Sequence, residues 1–316
     1  MAGHVLKVTF ERPSSAVSQP YSTGPGDSRL RVMPDESSSG VDPRTAHWVA
    51  AARARESGRA DRLFDDPYAA ALAGARGRDE LAASEGASGG ENAFLPIRTR
   101  FFDDLLCAEA ERLDQVVLLG AGLDTRAFRL AVPARLRWFE IDRAELFAEK
   151  EPILAALGAV AGCQRTVVVA DLTADWSTAL IAAGFEAGCR AGWLAEGLLF
   201  YLSGRAVRDL LAETRRLSGV GSLMAADVFG SGLLTLPSMR PNLATRAARG
   251  LPPPFTTDDP LATFRDAGWP SVQLAIPGQL GLTYGRQIGQ ADRSSAAPDR
   301  TMQSYLVVAR SEGYAG

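Results

Sequence analysis

The hydrophobic and polar positions of this chain change their period near residue 114. Between residues 42 and 113, apolar residues recur at helical spacing, as Phe94, Ile97 and Phe101 do. From residue 116 onward, short apolar runs alternate with helical stretches. That alternation predicts βαβ units in a mostly parallel, doubly wound sheet of the α/β class.

Seven strands are predicted in the second part of the chain, with helices between most of them. The predicted strands are Val116–Leu119, Leu136–Ile141, Thr166–Ala170, Ala191–Ala195, Ser222–Val228, Ser271–Ile276 and Ser304–Ala309. The helices predicted between the first five strands are Asp124–Leu130, Ala144–Leu157, Asp175–Ala183 and Ser203–Leu217. In the last of these, Ser203 is the expected N-cap.

The distribution of proline, glycine and serine predicts one structured domain after a flexible start. Residues 1–40 are rich in Ser, Pro and Gly and are expected to be flexible. Asp42 and Pro43 predict the first helix start, whereas the small polar residues 79–91 predict a loop. The domain, 41–316, is expected to comprise a helical cap (41–113), a ligand-binding core (114–230), an insert or lid (231–270) and C-terminal strands (271–316).

Composition excludes several classes of partner. The formal net charge of −3 gives no sign of a nucleic acid or an anionic membrane as partner. Cys107, Cys163 and Cys189 are odd in number and lack a Cys-x-x-Cys spacing, which indicates free thiols in a reducing compartment. No apolar run reaches the ~18 residues of a membrane span, and no secretory signal is visible. We therefore expect a cytoplasmic protein, and the sequence shows no His/Asp cluster that predicts a metal site.

A glycine turn follows the first predicted strand. Gly120-Ala-Gly122 lets the backbone bend sharply and approach a ligand without interference from Cβ. Asp124 stands where a short polar side chain caps the next helix. The turn alone fits both a nucleotide site and a purely structural bend, so the following strands must decide between them.

Acidic residues follow the next three strands at the edge where doubly wound sheets bind ligands. Asp142 lies 20 residues after Gly122, the spacing of a carboxylate that holds ribose hydroxyls, and is favoured over Glu140. Asp171 can accept a hydrogen bond from an adenine amino group while the Leu172 N–H donates to a ring nitrogen. Alternatively, Asp171 caps the next helix.

The turn also bears on the type of cofactor. A dinucleotide site has the pattern Gly-x-Gly-x-x-Gly, and Thr125 occupies its third glycine position here. Thr125 counts against NAD without excluding it. Gly-x-Gly with no third glycine suits S-adenosylmethionine (SAM), which has no pyrophosphate to place at the helix N-terminus.

Several motifs in order resemble one family. They are HWVAAARARESGRADRLFDDPYA, IRTRFFDD, LLGAGLDTRAFRL, WFEIDR, VVADL and WLAEGLLFYLS, spread from about Asp42 to Val228. Together they resemble the leucine carboxyl methyltransferase-like SAM-dependent methyltransferases, which include polyketide carboxyl methyltransferases of secondary metabolism. The resemblance implies a class I, Rossmann-like methyltransferase fold and SAM as the cofactor.

The resemblance also implies a role for each matching position. Arg98 is expected to hold the methionine carboxylate of SAM through two charge-assisted hydrogen bonds. The other implied contacts are Gly120 and Gly122 beside the methionyl group, Asp142 on the ribose, Asp171 and Leu172 on the adenine, Glu196 near the amino group or sulfonium, and Tyr201 near the acceptor. Two structural alternatives stay open: Arg98 pairs with Asp103 on its own helix, and Tyr201 belongs to the core.

The predicted reaction is an in-line transfer of the SAM methyl group to a small molecule. A carboxylate acceptor, with a pKa near ~4, is already ionised and needs no general base, which fits a chain whose only histidines are His4 and His47. A phenol or alcohol acceptor needs a base, for which His47 is the candidate. We therefore predict a carboxyl O-methyltransferase acting on a carboxylic acid.

Three other functions stay open at this point. They are a phenol or alcohol O-methyltransferase that uses His47, an NAD(P)-dependent oxidoreductase, and a SAM-binding protein without methyl transfer. The sequence also leaves the oligomeric state open between monomer and homodimer.

Overall fold

Seven strands form a single sheet in the computed structural model, which describes residues 44–248, 250–278, 282–286 and 299–312. The strands are β1 Gln115–Leu119, β2 Arg137–Asp142, β3 Gln164–Val169, β4 Ala191–Ala195, β5 Leu223–Phe229, β6 Ser271–Ala275 and β7 Ser304–Arg310. Their order is β3-β2-β1-β4-β5-β7-β6; β7 pairs antiparallel with β5 and β6, and the other pairings are parallel. The mostly parallel seven-stranded sheet is thus confirmed.

Nine α-helices of the described residues surround or cap the sheet. They are α1 Arg44–Ser57, α2 Ala69–Ser88, α3 Phe94–Glu109, α4 Arg126–Arg129, α5 Ala144–Ala156, α6 Trp176–Ala182, α7 Gly204–Leu217, α8 Arg240–Ala248 and α9 Pro260–Asp266. Predictions for residues 1–40, the helix start at Asp42 and Pro43, and the position of His4 lie outside the described residues.

The two faces of the sheet bury alternate residues of the same strands. Val117 and Leu119 of β1 belong to a core that includes residues of α6, α7 and α9, whereas Val116 and Leu118 belong to a second core with α3 and α4. All five residues of β1 are buried. Helices on both faces explain why the strand is apolar throughout rather than alternating, as a doubly wound sheet requires.

The loop predicted over residues 79–91 is wrong, because α2 continues to Ser88. The stretch is rich in alanine, and Leu81 is buried in the apolar cluster between the cap helices. A Cβ on Gly77 would lie 2.4 Å from the carbonyl oxygen of His47, so glycine there lets α2 approach α1 closely. Gly89, with φ of 77°, ends the helix.

The strand register brings the predicted acidic positions to one edge. Leu119 at the end of β1 pairs with Ile141, which immediately precedes Asp142, and Asp142 in turn pairs with Val169 at the end of β3. The glycine turn, Asp142 and the residues after β3 and β4 therefore share the carboxyl edge of the sheet. Of the helices that the structure describes, none is long and apolar enough to cross a membrane.

Candidate functional site

A cavity of about 1110 Å³ opens at the carboxyl edge of the sheet. Cap helices, the glycine turn, the ends of the central strands and the segment after β5 all contribute to its wall. Eight of the nine predicted site residues line it: Arg98, Gly120, Gly122, Asp142, Asp171, Leu172, Glu196 and Tyr201. His47 does not.

The glycine turn and Asp142 hold each other in place. Gly120 and Gly122 have φ of 67° and 48°, in the left-handed region that favours glycine. The Gly122 N–H donates to Asp142 Oδ2 over 2.7 Å, and the Arg143 N–H donates to Oδ1. Burial raises the pKa of Asp142, and these two N–H groups oppose that rise. The carboxylate is thus fixed beside the backbone of the turn.

Asp171 bends the chain after β3 without capping α6. Its Oδ1 accepts from the Thr173 N–H at 2.8 Å and from the Thr173 hydroxyl at 2.7 Å. Asp175 caps α6 by accepting from the Thr178 N–H, so the alternative role for Asp171 does not hold. Asp171 Oδ2 has no hydrogen-bond partner among the residues the structure describes, and it remains available to a ligand.

Arg98 lies between two carboxylates at the inner end of the cavity. Nε donates to Glu196 Oε1 and Nη1 to Asp227 Oδ2, each over 2.9 Å. Within the described part of the chain, Nη2 donates to no acceptor. The alternative pairing with Asp103 is wrong, since Asp103 binds Arg126 and Arg129 instead.

Asp227 is a site residue that sequence reasoning missed. Its side chain is 1% exposed, and besides binding Arg98 it accepts from the Gly197 N–H through Oδ1 over 2.6 Å. Burial raises its pKa, against the attraction of Arg98. A Cβ on Gly197 would lie 3.2 Å from Arg98 Nη1, so that glycine makes room for the guanidinium. The available signal was one acidic residue within the apolar run of β5.

Arg126 is the second residue that was missed. It binds Glu196 Oε2 and Asp103 Oδ1, each at 2.7 Å, and it also pairs with Asp124. Burial opposes ionisation of Asp124, but Arg126 and more distant cations outweigh it and lower its pKa to about 2. Glu196 is therefore held from both sides, by Arg98 and Arg126. The short motif Asp-Thr-Arg gave no indication that its arginine is buried.

The cap is bound to the glycine turn through a second buried ion pair. Arg53 of α1 binds Asp66 Oδ2 at 2.9 Å and donates to the Leu123 carbonyl over 2.6 Å. The Thr125 hydroxyl donates to the same Asp66 oxygen over 2.7 Å. Thr125 thus has a structural use at the position where a dinucleotide site has its third glycine.

His47 lies between helices rather than in the cavity wall. Its Nδ1 is 3.2 Å from the Leu72 carbonyl oxygen, and its Nε2 is 2.9 Å from Glu149 Oε2. Both ring nitrogens are therefore engaged with protein oxygens outside the cavity. The structure does not bring His47 together with the other predicted site residues.

Part of the cavity wall is apolar. Phe94 and Phe200 both pack against Phe229, in tilted and edge-to-face contacts with ring centroids 5.8 Å and 5.6 Å apart. The wall also includes residues that follow β5, namely Leu233, Leu234, Leu236 and Met239. Tyr201 lies on this side with its hydroxyl bonded to Thr45, and burial raises its pKa. The phenol is thus protonated at neutral pH and can donate a hydrogen bond.

Solved structures share this architecture. A DUF574 family protein of Streptomyces avermitilis superposes with a TM-score of 0.55 at 14% identity, covering 85% of this chain and 97% of that one. A Thermobifida fusca protein named as a methyltransferase gives a TM-score of 0.52 at 17% identity, covering 80% of this chain and 95% of its own. At these identities the likeness concerns the fold alone.

Sequence relatives identify the family. A Parafrankia protein is 47% identical over 202 residues, which span 61% of this chain and 64% of that one. A Frankia alni protein is 38% identical over 278 residues, covering 84% of this chain and 93% of its own. Both are named among the S-adenosyl-L-methionine-dependent methyltransferases. The family model for leucine carboxyl methyltransferase matches residues 46–215. The chain therefore belongs to the leucine carboxyl methyltransferase family of SAM-dependent methyltransferases.

Proposed function

We propose that this methyltransferase transfers the methyl group of SAM to a carboxylate on an apolar small molecule. One observation carries the choice of acceptor: among the described residues that line the cavity there is no histidine, lysine or cysteine. A phenol or alcohol must lose a proton to react, whereas a carboxylic acid is already ionised at neutral pH. The wall suits an acceptor that needs no general base.

The cofactor half of the cavity offers the groups that SAM requires. Arg98 Nη2 and Asp171 Oδ2 are polar atoms without partners in the described chain, and the glycine turn lines the cavity with backbone in the left-handed region. We assign Arg98 to the methionine carboxylate, Asp142 to the ribose hydroxyls, and Asp171 with the Leu172 N–H to the adenine. When bound, SAM supplies an electrophilic methyl group on a sulfonium.

Glu196 fits the cationic part of SAM. Its two oxygens already bind Arg98 and Arg126, but each carboxylate oxygen has a second lone pair for an ammonium N–H. The flanking arginines lower the pKa of Glu196 against the effect of burial. Glu196 is therefore ionised, and its charge complements the ammonium and sulfonium.

We propose that Tyr201 orients the acceptor and that the apolar wall removes water from around it. The protonated Tyr201 hydroxyl can donate a hydrogen bond that orients the acceptor carboxylate. The phenylalanine cluster around Phe229 packs against the apolar body and excludes water from the reacting oxygen. Catalysis then rests on alignment and desolvation rather than on proton transfer.

A hydroxyl acceptor is a second candidate, supported by Glu80. Glu80 Oε1 binds Arg76 at 3.1 Å, whereas Oε2 is buried without a hydrogen-bond partner, and Glu80 lines the cavity. A carboxylate oxygen in that state can accept a proton from a phenol or alcohol. Glu80 is a better placed base than His47 for such a reaction.

Product chemistry separates the two candidates. The protein is incubated with methyl-labelled SAM and with 3-phenylpropanoic acid, 3-phenylpropanol or 4-propylphenol. We expect label in the acid product, released as methanol by mild alkali because methyl esters hydrolyse and methyl ethers do not. Alkali-stable label from the phenol or alcohol, lost in Glu80→Gln, would replace the carboxylate proposal. Asp142→Ala is the control that removes the proposed ribose contact.

A further inference from the structure

Arg246 is a buried cation in the segment after β5. It lies on α8, and the residue is 5% exposed. Nε and Nη2 donate to the Pro252 carbonyl over 3.2 Å and 2.9 Å, and Nη2 also reaches the Tyr201 carbonyl at 3.4 Å. Nη1 is buried and has no hydrogen-bond partner among the residues that the structure describes. Its neighbours are thus neutral carbonyl groups.

The charge of Arg246 has no carboxylate partner within 4.0 Å in the described chain. The four other buried arginines of the described chain, Arg53, Arg98, Arg126 and Arg286, each pair with at least one carboxylate. An arginine stays protonated in proteins, and burying an unpaired charge is costly. Burial indeed lowers the pKa of Arg246. A cost of this kind indicates a charge kept for an anion that the described residues do not supply.

The surroundings of Arg246 indicate where its positive charge would attract such an anion. Arg246 contacts the backbone of Tyr201, whose side chain lines the cavity. Arg98 and Arg246 both act to lower the pKa of the Tyr201 phenol, against burial and Asp227. Negative charge at the Tyr201 hydroxyl is therefore attracted by two arginines. Arg98 is already bound by Glu196 and Asp227, whereas none of the described carboxylates pairs with Arg246.

We propose that Arg246 is a positioning residue that gives this site its preference for anionic acceptors, by attracting a carboxylate to the Tyr201 hydroxyl. This inference rests on the proposed function, because it concerns the acceptor of that same site. Arg246 does not itself line the cavity. It acts through its electrostatic field at the Tyr201 hydroxyl and through its hydrogen bond to the Tyr201 carbonyl.

The chemistry of the transfer predicts which kinetic constant changes. A carboxylate oxygen forms a bond to the methyl carbon while the carbon–sulfur bond breaks, its electron pair goes to sulfur, and no proton moves. Negative charge on the acceptor therefore falls as the reaction proceeds, so a nearby cation stabilises the bound acceptor more than the transition state. Loss of the Arg246 charge should therefore raise KM for the acid without lowering kcat.

Matched probes test the charge preference without turnover. The affinities of 3-phenylpropanoate and 3-phenylpropanamide, which share their shape and differ in charge, are measured by calorimetry on the full chain with S-adenosylhomocysteine present. We expect the wild-type protein to bind the acid more tightly than the amide. Arg246→Met should reduce the ratio of the two affinities about tenfold, which is the effect expected for two unit charges about 10 Å apart at an effective dielectric constant of about 20. Arg246→Lys should keep the preference.

Controls separate charge from folding. Arg240 lies on the same helix and is exposed, so Arg240→Met removes an equal charge and should leave the ratio unchanged. If Arg246→Met does not fold, Arg246→Gln, which can still donate to the Pro252 carbonyl, replaces it. A wild-type protein that binds the acid no more tightly than the amide overturns the inference, as does an unchanged ratio in the neutral variant. Failure of methyl transfer to every acid would instead overturn the proposed function.

Discussion

Replacing Asp227 by asparagine tests how strongly this buried carboxylate holds Arg98. The substitution keeps the side-chain shape and an acceptor for the Gly197 N–H, but it removes the negative charge and can turn an N–H group towards Arg98 Nη1. The side chains of Arg98 and Asp227 are 6% and 1% exposed. Arg98 keeps Glu196 as a partner in this variant, and a hydrogen bond to a charged group contributes about 1.5–3 kcal/mol, so we expect a loss of that size in the free energy of unfolding.

An exposed ion pair on α3, the helix that carries Arg98, provides the control. Arg100 and Asp104 of α3 are 2.8 Å apart, close to the 2.9 Å of the buried pair, but 39% and 47% exposed. Asp104→Asn should therefore cost less than about 1 kcal/mol, because water screens exposed pairs. Urea unfolding, followed by tryptophan fluorescence, measures both variants.

SAM binding distinguishes a role in the site from a role in the fold. Without Asp227, Arg98 loses its fixed orientation, and we expect Kd for SAM to rise about tenfold or more in calorimetry. Asp104→Asn should leave that Kd unchanged. A destabilised Asp227→Asn with unaltered SAM affinity would confine Asp227 to the fold, and a variant as stable as Asp104→Asn would refute the reasoning about the buried pair.

Three further changes test other parts of the site. Asp142→Ala should raise Kd for SAM about 100-fold, since hydrogen bonds to a charged group contribute about 1.5–3 kcal/mol each; an unchanged Kd in calorimetry would refute the ribose assignment. Asp124→Asn should remove about 2 kcal/mol of stability at pH 7, because the folded pKa of about 2 lies below the ~3.9 of an unfolded aspartate. This stability is present above the unfolded pKa and is lost as pH falls towards the folded one, so urea curves of the two proteins should converge between about pH 5 and pH 2; a constant difference would contradict the assignment. His47→Ala should leave transfer to a carboxylate within about threefold of the wild-type rate, whereas a loss of ~100-fold would indicate that His47 is a base.

The sheet was predictable because the apolar runs of its strands and the acidic residues that follow them are local features of the sequence. Each buried strand is a short apolar run, as in β1, and each acidic strand end follows its run directly in the sequence. The extent of α2 was not predictable in the same way. Its small polar residues are typical of a loop, and the helix is stabilised by packing on α1 through Gly77 and Leu81. That contact depends on a neighbour distant in the chain.

The sequence also led to eight residues that line the cavity. Gly122 and Asp142 stand at a spacing that the βαβ unit imposes, and the structure joins them by a hydrogen bond. His47 shows the limit of this approach. A histidine on a cap helix fits a catalytic role in sequence, but only the packing of α1 against its neighbours turns its ring towards Leu72 and Glu149.

By itself the sequence determined the class of fold, the family, and the edge of the sheet at which the proposed cofactor residues lie, because these follow from local periodicity and from motifs of fixed spacing. Only the tertiary structure decided which charges are paired. Arg98 and Asp227 are 129 residues apart in the chain yet hydrogen-bonded, and Arg246 is buried without a carboxylate among the described residues. The interaction of charges depends on distance and burial in the folded protein, and neither quantity is encoded locally.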